Sequence, residues 1–92
     1  MLTDSPKNIG GAKALYVSKS DTIFETVFRN GIEVPIEYAA VCQYDDEEGF
    51  CLFGCDKDFN THTDFFYDDL EEALDDAKRL YQIENIKWIK IK

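Results

Sequence analysis

Residues 50–81 read FCLFGCDKDFNTHTDFFYDDLEEALDDAKRLY, and this stretch predicts most of the fold. The apolar run Phe50–Cys55 predicts a buried strand, and Thr61–Tyr67 predicts the strand that returns beside it. The DKDFN segment between them is rich in Asp and Asn, which favour turns because their side chains bond to the nearby backbone. The stretch therefore predicts a β-hairpin that leads into a helix.

The helix is predicted by its capping residues and its apolar spacing. Asp68 is expected at the N-cap, and Glu71, three residues later, completes a capping box in which Asp replaces Ser or Thr. Acids crowd the first turns while Lys78 and Arg79 come near the end, as the helix macrodipole favours. One face should pack on the core, because five apolar residues repeat at helical spacing: Leu70, Ala73, Leu74, Ala77 and Tyr81.

The remaining strand candidates are residues 12–18, residues 32–44 and residues 86–92. Pro35 cannot donate a ladder hydrogen bond, so its part of the second candidate is expected at a sheet edge or before the strand proper. The segment Thr22–Asn30 fits two structures. Its apolar spacing is helical, whereas its β-branched residues and the Asn30-Gly31 pair favour a hairpin, which is the preferred interpretation.

Together these elements predict an α+β fold, with a mostly antiparallel β-sheet of about four to six strands and one main amphipathic helix packed on one face. A chain of 92 residues accommodates one domain. We expect residues 1–11 to be a flexible N-terminal lead-in and residues 12–92 to form that single α+β domain.

The charge of the chain is concentrated in one third of its length. The net charge is −9, and residues 45–76 contain 13 acids and one base, whereas the other 60 residues contain 6 acids and 9 bases. Such a field repels nucleic acid and anionic lipid, so neither direct nucleic-acid binding nor membrane binding is expected. The simplest alternative is that the acids only keep a small domain dispersed in water.

The cellular compartment of the protein is predicted from its apolar runs and its cysteines. No apolar run approaches the roughly 20 residues needed to cross a bilayer, and no secretory signal is visible at the N-terminus. Three cysteines are an odd number and too few for a disulfide framework. A reducing cytoplasm is therefore the expected compartment.

Neither a metal nor a cofactor is expected. Asp56, Asp58 and Asn60 match the opening of a calcium loop, but Thr61 and Tyr67 stand where that loop requires Gly and Glu. Cys51 and Cys55 share one face of a strand but should stand roughly 13 Å apart, too far for one zinc ion. The three thiols are therefore interpreted as small apolar core residues.

A catalytic site is weighed and not expected. Cys55 and His62 flank the predicted turn, so they could be cross-strand neighbours with Asp64 orienting the imidazole. A thiol, an imidazole and a carboxylate within ten residues are a common coincidence, and no loop resembling an oxyanion hole is evident. The chain is therefore predicted not to be an enzyme.

The segment from about Val41 to Tyr81 resembles small uncharacterised bacterial proteins, in which a YLF-x-CD-x-D-W-N strand and turn leads to a D-T-x-x-x-(S/T)-LEEA helix start. This chain departs from the pattern at Phe59, where Trp is expected, and at Phe65, where Thr is expected. The resemblance implies a fold and no activity. The composition is also similar to that of small acidic immunity-like proteins of bacterial toxin systems. The matching residues are Leu52, Phe53, Cys55, Asp56, Asp58, Asn60, Asp64, Leu70, Glu71, Glu72 and Ala73.

The function expected from the sequence is protein binding through acidic residues. Like charges repeat at i,i+4 in the helix, at a cost that a helix serving only solubility could avoid. We expect a small acidic binding protein, of the inhibitor or immunity-like kind, that engages a basic protein surface through eight acids: Asp45, Asp46, Glu47, Glu48, Glu71, Glu72, Asp75 and Asp76. The alternative is a stand-alone structural domain or a homodimer that pairs through an edge strand within residues 32–41 or 86–91.

Overall fold

The computed structural model describes residues 7–19, 23–83 and 86–91, and in this part of the chain it has eight strands and one helix. The strands of the main sheet run in the order β1-β2-β5-β6-β7, and β8 pairs with β2 on the same side as β1. Every described strand pair is antiparallel, so the predicted α+β fold is confirmed. The strands of this sheet are β1 (Asn8–Ile9), β2 (Ala12–Lys19), β5 (Tyr38–Gln43), β6 (Phe50–Cys55), β7 (Thr61–Tyr67) and β8 (Ile89–Lys90).

The segment Thr22–Asn30, which fitted two structures, contributes to a hairpin over its described residues, and Thr22 lies outside them. Strands β3 (Glu25–Arg29) and β4 (Ile32–Ile36) form a separate two-stranded sheet. The two residues that join them, Asn30 and Gly31, have φ values of 54° and 79°. Positive φ at both central positions is what a tight hairpin turn of this length requires, so the Asn-Gly pair decided the structure.

The strand predicted over residues 32–44 is divided. Glu37 interrupts it, so β4 belongs to the small sheet while β5 lies between β2 and β6 in the centre of the main sheet. Pro35 lies in β4, where the two-stranded sheet leaves one side without a partner strand. The prediction that residues 32–41 offer an edge strand for pairing between two copies is therefore wrong for the residues that lie in β5.

The helix α1 (Leu70–Tyr81) begins one residue later than predicted. Asp69, not Asp68, is the N-cap: its backbone is extended, and its carboxylate accepts a hydrogen bond of 3.0 Å from the Glu71 amide. Gln82 ends the helix in the left-handed conformation, and its amide donates to the Lys78 carbonyl. Among the described residues no helix combines the length and apolarity that crossing a membrane requires.

The main sheet has an apolar cluster on each face. On the helix face, Ala73, Ala77 and Tyr81 of α1 pack against Val41 and Leu52, and the other two predicted core residues of the helix join at its margin. The second face holds Val17, Ala40 and Phe53 together with all three cysteines, which confirms the thiols as core residues. Two cores in one small sheet explain why β5 and β6 read as nearly continuous apolar runs.

The second face is covered partly by the turn between β1 and β2. A Cβ at Gly10 would lie 3.1 Å from Thr61 Cγ2 and 3.4 Å from the Phe53 ring, so this turn reaches across the face to β6 and β7. Tyr44 Oη donates to the Gly10 carbonyl over 3.1 Å. Within the predicted lead-in, Ile9 is therefore a buried part of the sheet.

Candidate functional site

The turn between β6 and β7 is organised by one carboxylate. Asp56 Oδ1 accepts hydrogen bonds from the Asp58 amide at 2.9 Å and from the Asn60 amide at 3.0 Å, while Asp56 Oδ2 accepts from Asn60 Nδ2 at 3.2 Å. Phe59 takes the left-handed conformation that closes the turn. Both oxygens of Asp56, the first residue of the calcium-like pattern, are therefore used to bond the turn to itself.

His62 belongs to the same turn and does not face a nucleophile. Its Nε2 lies 2.9 Å from Asp56 Oδ2, and both side chains are largely buried. Cys55 lies opposite Thr61, because a register shift at this point displaces His62 from the cross-strand position. The arrangement of Cys55, His62 and Asp64 considered from the sequence is thus not assembled: the imidazole is oriented by Asp56.

The thiols are in surroundings that oppose activation. Burial raises the pKa of Cys42 to about 12, and burial together with the charge of Asp56 raises the pKa of Cys55 to about 12. Burial, followed by the charges of Glu47 and Asp64, also raises the pKa of Cys51. Reactive cysteines require the opposite shift, because the thiolate is the nucleophile.

The first half of the predicted partner-binding set lies in the turn between β5 and β6. Asp45, Asp46, Glu47 and Glu48 are all exposed. Two hydrogen bonds to backbone carbonyls hold the turn: the Glu47 amide donates to the Tyr44 carbonyl at 3.2 Å, and Gln43 Nε2 donates to the Glu48 carbonyl at 3.1 Å. The four carboxylates are therefore presented to solvent by a turn that does not use them.

The helix contributes the second half, and the structure separates one member from the rest. Glu71, Glu72 and Asp75 are exposed along a shallow recess that Asp69, Tyr67 and Arg79 also line. Asp76 is instead partly buried and satisfied: Tyr67 Oη donates to its Oδ2 over 2.5 Å, and Arg79 Nε donates to its Oδ1 over 2.7 Å. These two bonds lower the pKa of Asp76. Asp76 acts within the fold, not as a free carboxylate.

Both acidic segments lie at the same end of the main sheet. Phe50, the first residue of β6, pairs with Tyr67, the last residue of β7. The β5–β6 turn, which comes just before Phe50, and the start of α1, which comes just after Tyr67, are therefore at the same end of the sheet. The Phe66 ring lies against the turn, because a Cβ at Gly49 would be only 2.1 Å from Phe66 Cζ. The turn and the helix start are thus connected across the end of β7.

Two features of this region were not predicted. Phe65 and Phe66 are 40% and 56% exposed on β7, the outermost strand of the sheet. Asp64 lies on the second face with Phe66, because their β6 partners Phe53 and Cys51 belong to the second-face core. The exposure of three consecutive residues, Asp64 to Phe66, on a strand without a second described neighbour is a tertiary property, although the FF pair inside a polar strand was a usable signal.

Comparison of the chain with protein-family models, with curated proteins and with solved structures found no match.

Proposed function

We propose that this chain is a small non-enzymatic binding protein that engages a basic protein surface through its acidic end. The acidic end comprises seven exposed carboxylates of the β5–β6 turn and of α1, which are Asp45, Asp46, Glu47, Glu48, Glu71, Glu72 and Asp75. Asp76, which the sequence also suggested, is left out because Tyr67 and Arg79 already occupy its oxygens.

The observation that carries the proposal is that these carboxylates are not neutralised within the described residues. Of the seven, Asp75 alone has a described cation within 4 Å, and its contact with Lys78 is long, at 3.9 Å, and exposed. Long exposed pairs contribute little, so the negative field remains available to a partner. Such a field increases the rate of encounter and orients the partner more than it increases affinity.

A narrower form of the proposal is that binding inhibits the basic partner. It is supported by the composition that the chain shares with small acidic immunity-like proteins and by a surface whose acids are free to cover cationic residues. The inhibitor form predicts that a partner with an enzymatic activity loses that activity in the complex. Activity retained in a stoichiometric complex would leave binding without inhibition.

The test is capture of proteins from a bacterial lysate at low and at moderate salt, with variants that remove charge in two places. Asp45→Asn with Asp46→Asn, and separately Glu71→Gln with Glu72→Gln, should each weaken capture of basic proteins. The matched control is Glu25→Gln with Glu33→Gln, which also removes two charges but changes the β3–β4 hairpin. Capture that is lost equally in all three variants, or absent at both salts, would contradict the proposal.

A further inference from the structure

In the main sheet, the outer side of β7 is the one long strand edge that no described strand covers. β7 pairs with β6 along Thr63–Tyr67, and no described strand pairs with its other side. At the beginning of β7 the Arg29 guanidinium, from the small hairpin, donates to the His62 carbonyl. The hairpin therefore covers the first part of the edge, and residues 63–67 remain open.

Two other described edge strands carry features that normally prevent strand pairing. β8 is two residues long and contains Lys90, with Lys87 two residues before the strand, and β4 contains Pro35. β7 has seven residues, no proline and no lysine, and it presents two exposed phenylalanines. Natural proteins protect edges with short strands, charges and proline; β7 has one charge, Asp64, and neither of the other features, so an edge of this length is suited to accept another strand.

The two phenylalanines border the edge from opposite faces. Phe65 lies opposite Leu52 on the helix face, and Phe66 lies opposite Cys51 on the second face. An added strand would direct alternate side chains to the two faces, so each face of it would meet one aromatic ring. Backbone hydrogen bonds give such contacts their affinity, and the flanking side chains give them specificity.

Acids border the same edge on both faces. On the helix side Asp69, Glu72 and Asp75 line a recess with Tyr67, the last residue of β7. On the second face Asp64 is exposed, and both it and Glu47 lie near Cys51. Arg79 is the one described base in the recess, and it is bonded to Asp76. Two copies joined through β7 would place these acids against each other, which disfavours self-pairing.

We infer that β7 is a docking edge for an extended, basic segment of a partner protein, which adds to the main sheet as a strand beyond Thr63–Tyr67. The segment carries lysine or arginine toward the bordering acids and apolar side chains toward Phe65 and Phe66. This inference rests on the proposed function, because it assigns the basic partner's contact to one strand.

The experiment measures binding of a fluorescently labelled peptide, Lys-Lys-Val-Val-Lys-Lys-Val, to the full chain at low salt; as a strand this peptide presents both lysine and valine on each face. The control peptide has the same sequence with every amide N-methylated, so it keeps all side chains and charges but has no backbone donor. The unmodified peptide should bind at least about tenfold more tightly than the control. It should also slow hydrogen exchange at amides of Thr63–Tyr67, which no purely electrostatic contact requires.

A pair of protein variants locates the contact. Phe66→Lys places a lysine on the β7 edge and should weaken the unmodified peptide about tenfold or more. Phe28→Lys makes the same exchange at a phenylalanine that is 63% exposed on the small hairpin, and it should leave binding unchanged. Circular dichroism of both variants establishes that each is folded before affinities are compared.

Each other result overturns a different statement. Equal binding of both peptides would remove the docking edge but keep an acidic end that attracts basic partners. Absence of binding by the unmodified peptide would overturn the edge, while the proposed function would still be decided by the lysate capture and its charge variants. Self-association that Phe66→Lys abolishes would identify a second copy, not a basic partner, as the occupant of β7.

Discussion

The Tyr67 hydroxyl, at the end of β7, donates to Asp76 Oδ2 over 2.5 Å, whereas the Tyr81 hydroxyl, at the end of α1, is buried with no hydrogen-bond partner among the described residues. Tyr81 Oη and Thr63 Oγ1 both lie over Gly54, and Thr63 opposes the rise in the Tyr81 pKa, but the two hydroxyls do not meet the geometry of a hydrogen bond. Burial raises the pKa of Tyr81 to about 12. Two tyrosines in one small protein therefore have opposite energetic roles.

The first prediction contrasts these two hydroxyls. Tyr67→Phe should lower the free energy of unfolding by about 1–2 kcal/mol, because it removes a hydrogen bond to a charged group. Tyr81→Phe should leave the free energy of unfolding unchanged or raise it by up to about 1 kcal/mol, since it removes a buried hydroxyl that lacks a partner. Urea denaturation of both variants at neutral pH measures the difference. Equal destabilisation by the two substitutions would contradict the assignment of the bonds.

The second prediction concerns acid. Hydrogen bonds from Arg79 and Tyr67 lower the pKa of Asp76 from its ordinary 3.8. At Asp56 burial raises the pKa, but hydrogen bonds from His62, Asn60 and Asp58 outweigh burial, so the pKa of Asp56 is also lowered from 3.8. A carboxyl whose pKa is depressed in the folded state stabilises the protein fully above its unfolded pKa. That stabilisation is lost as pH falls through the folded pKa.

The protein should therefore lose stability as the pH falls below about 4, where unfolded aspartates begin to bind protons. Asp76→Asn should weaken this acid dependence, because one depressed carboxyl is gone. Asp75→Asn is the matched control, since Asp75 is exposed and its one described ion pair, with Lys78, is long. Free energies of unfolding measured from neutral pH to pH 3 give the slopes. Identical slopes for the two variants would argue against a special role for Asp76.

The third prediction isolates the backbone of the β3–β4 turn. Gly31 has a φ of 79°, and a Cβ added there would meet no atom within 4 Å. Gly31→Ala should consequently destabilise the protein by about 1–2 kcal/mol through its backbone conformation alone. Asn30→Gly should cost much less, because glycine adopts positive φ without strain. Thermal denaturation measures both, and a neutral Gly31→Ala variant would contradict the turn geometry.

The fourth prediction concerns the buried thiols. With pKa values near 12, Cys42 and Cys55 should react slowly with an alkylating reagent at pH 8 and rapidly only in denaturant. Because these values are raised above the ordinary 9.0, the associated stability is present below about pH 9 and is lost as the pH rises toward 12. Alkylation followed by mass spectrometry of peptides measures each site. Rapid native labelling of Cys55 would revive the interpretation of this residue as a nucleophile.

The sequence predicted those parts of the fold that depend on neighbouring residues. The Asn30-Gly31 pair specified the hairpin because both residues tolerate positive φ, and the DKDFN turn followed from carboxylates that bond to their own backbone. The apolar spacing identified the buried face of α1. The N-cap was misplaced by one because Asp68 and Asp69 have the same chemistry, and the choice between them depends on where β7 stops.

The tertiary structure alone decided which strands are central or outermost in the sheet and which carboxylates are bonded within the fold. Residues 38–43 became a central strand, not an edge, because β2 and β6 flank them, and β7 became outermost because no described strand follows it in space. Asp76 differs from Asp75 only because its oxygens meet Tyr67 and Arg79. Local sequence determines turns, caps and helix faces, since these interactions span a few residues. Burial, pairing and the availability of a carboxylate depend on residues brought together from distant parts of the chain.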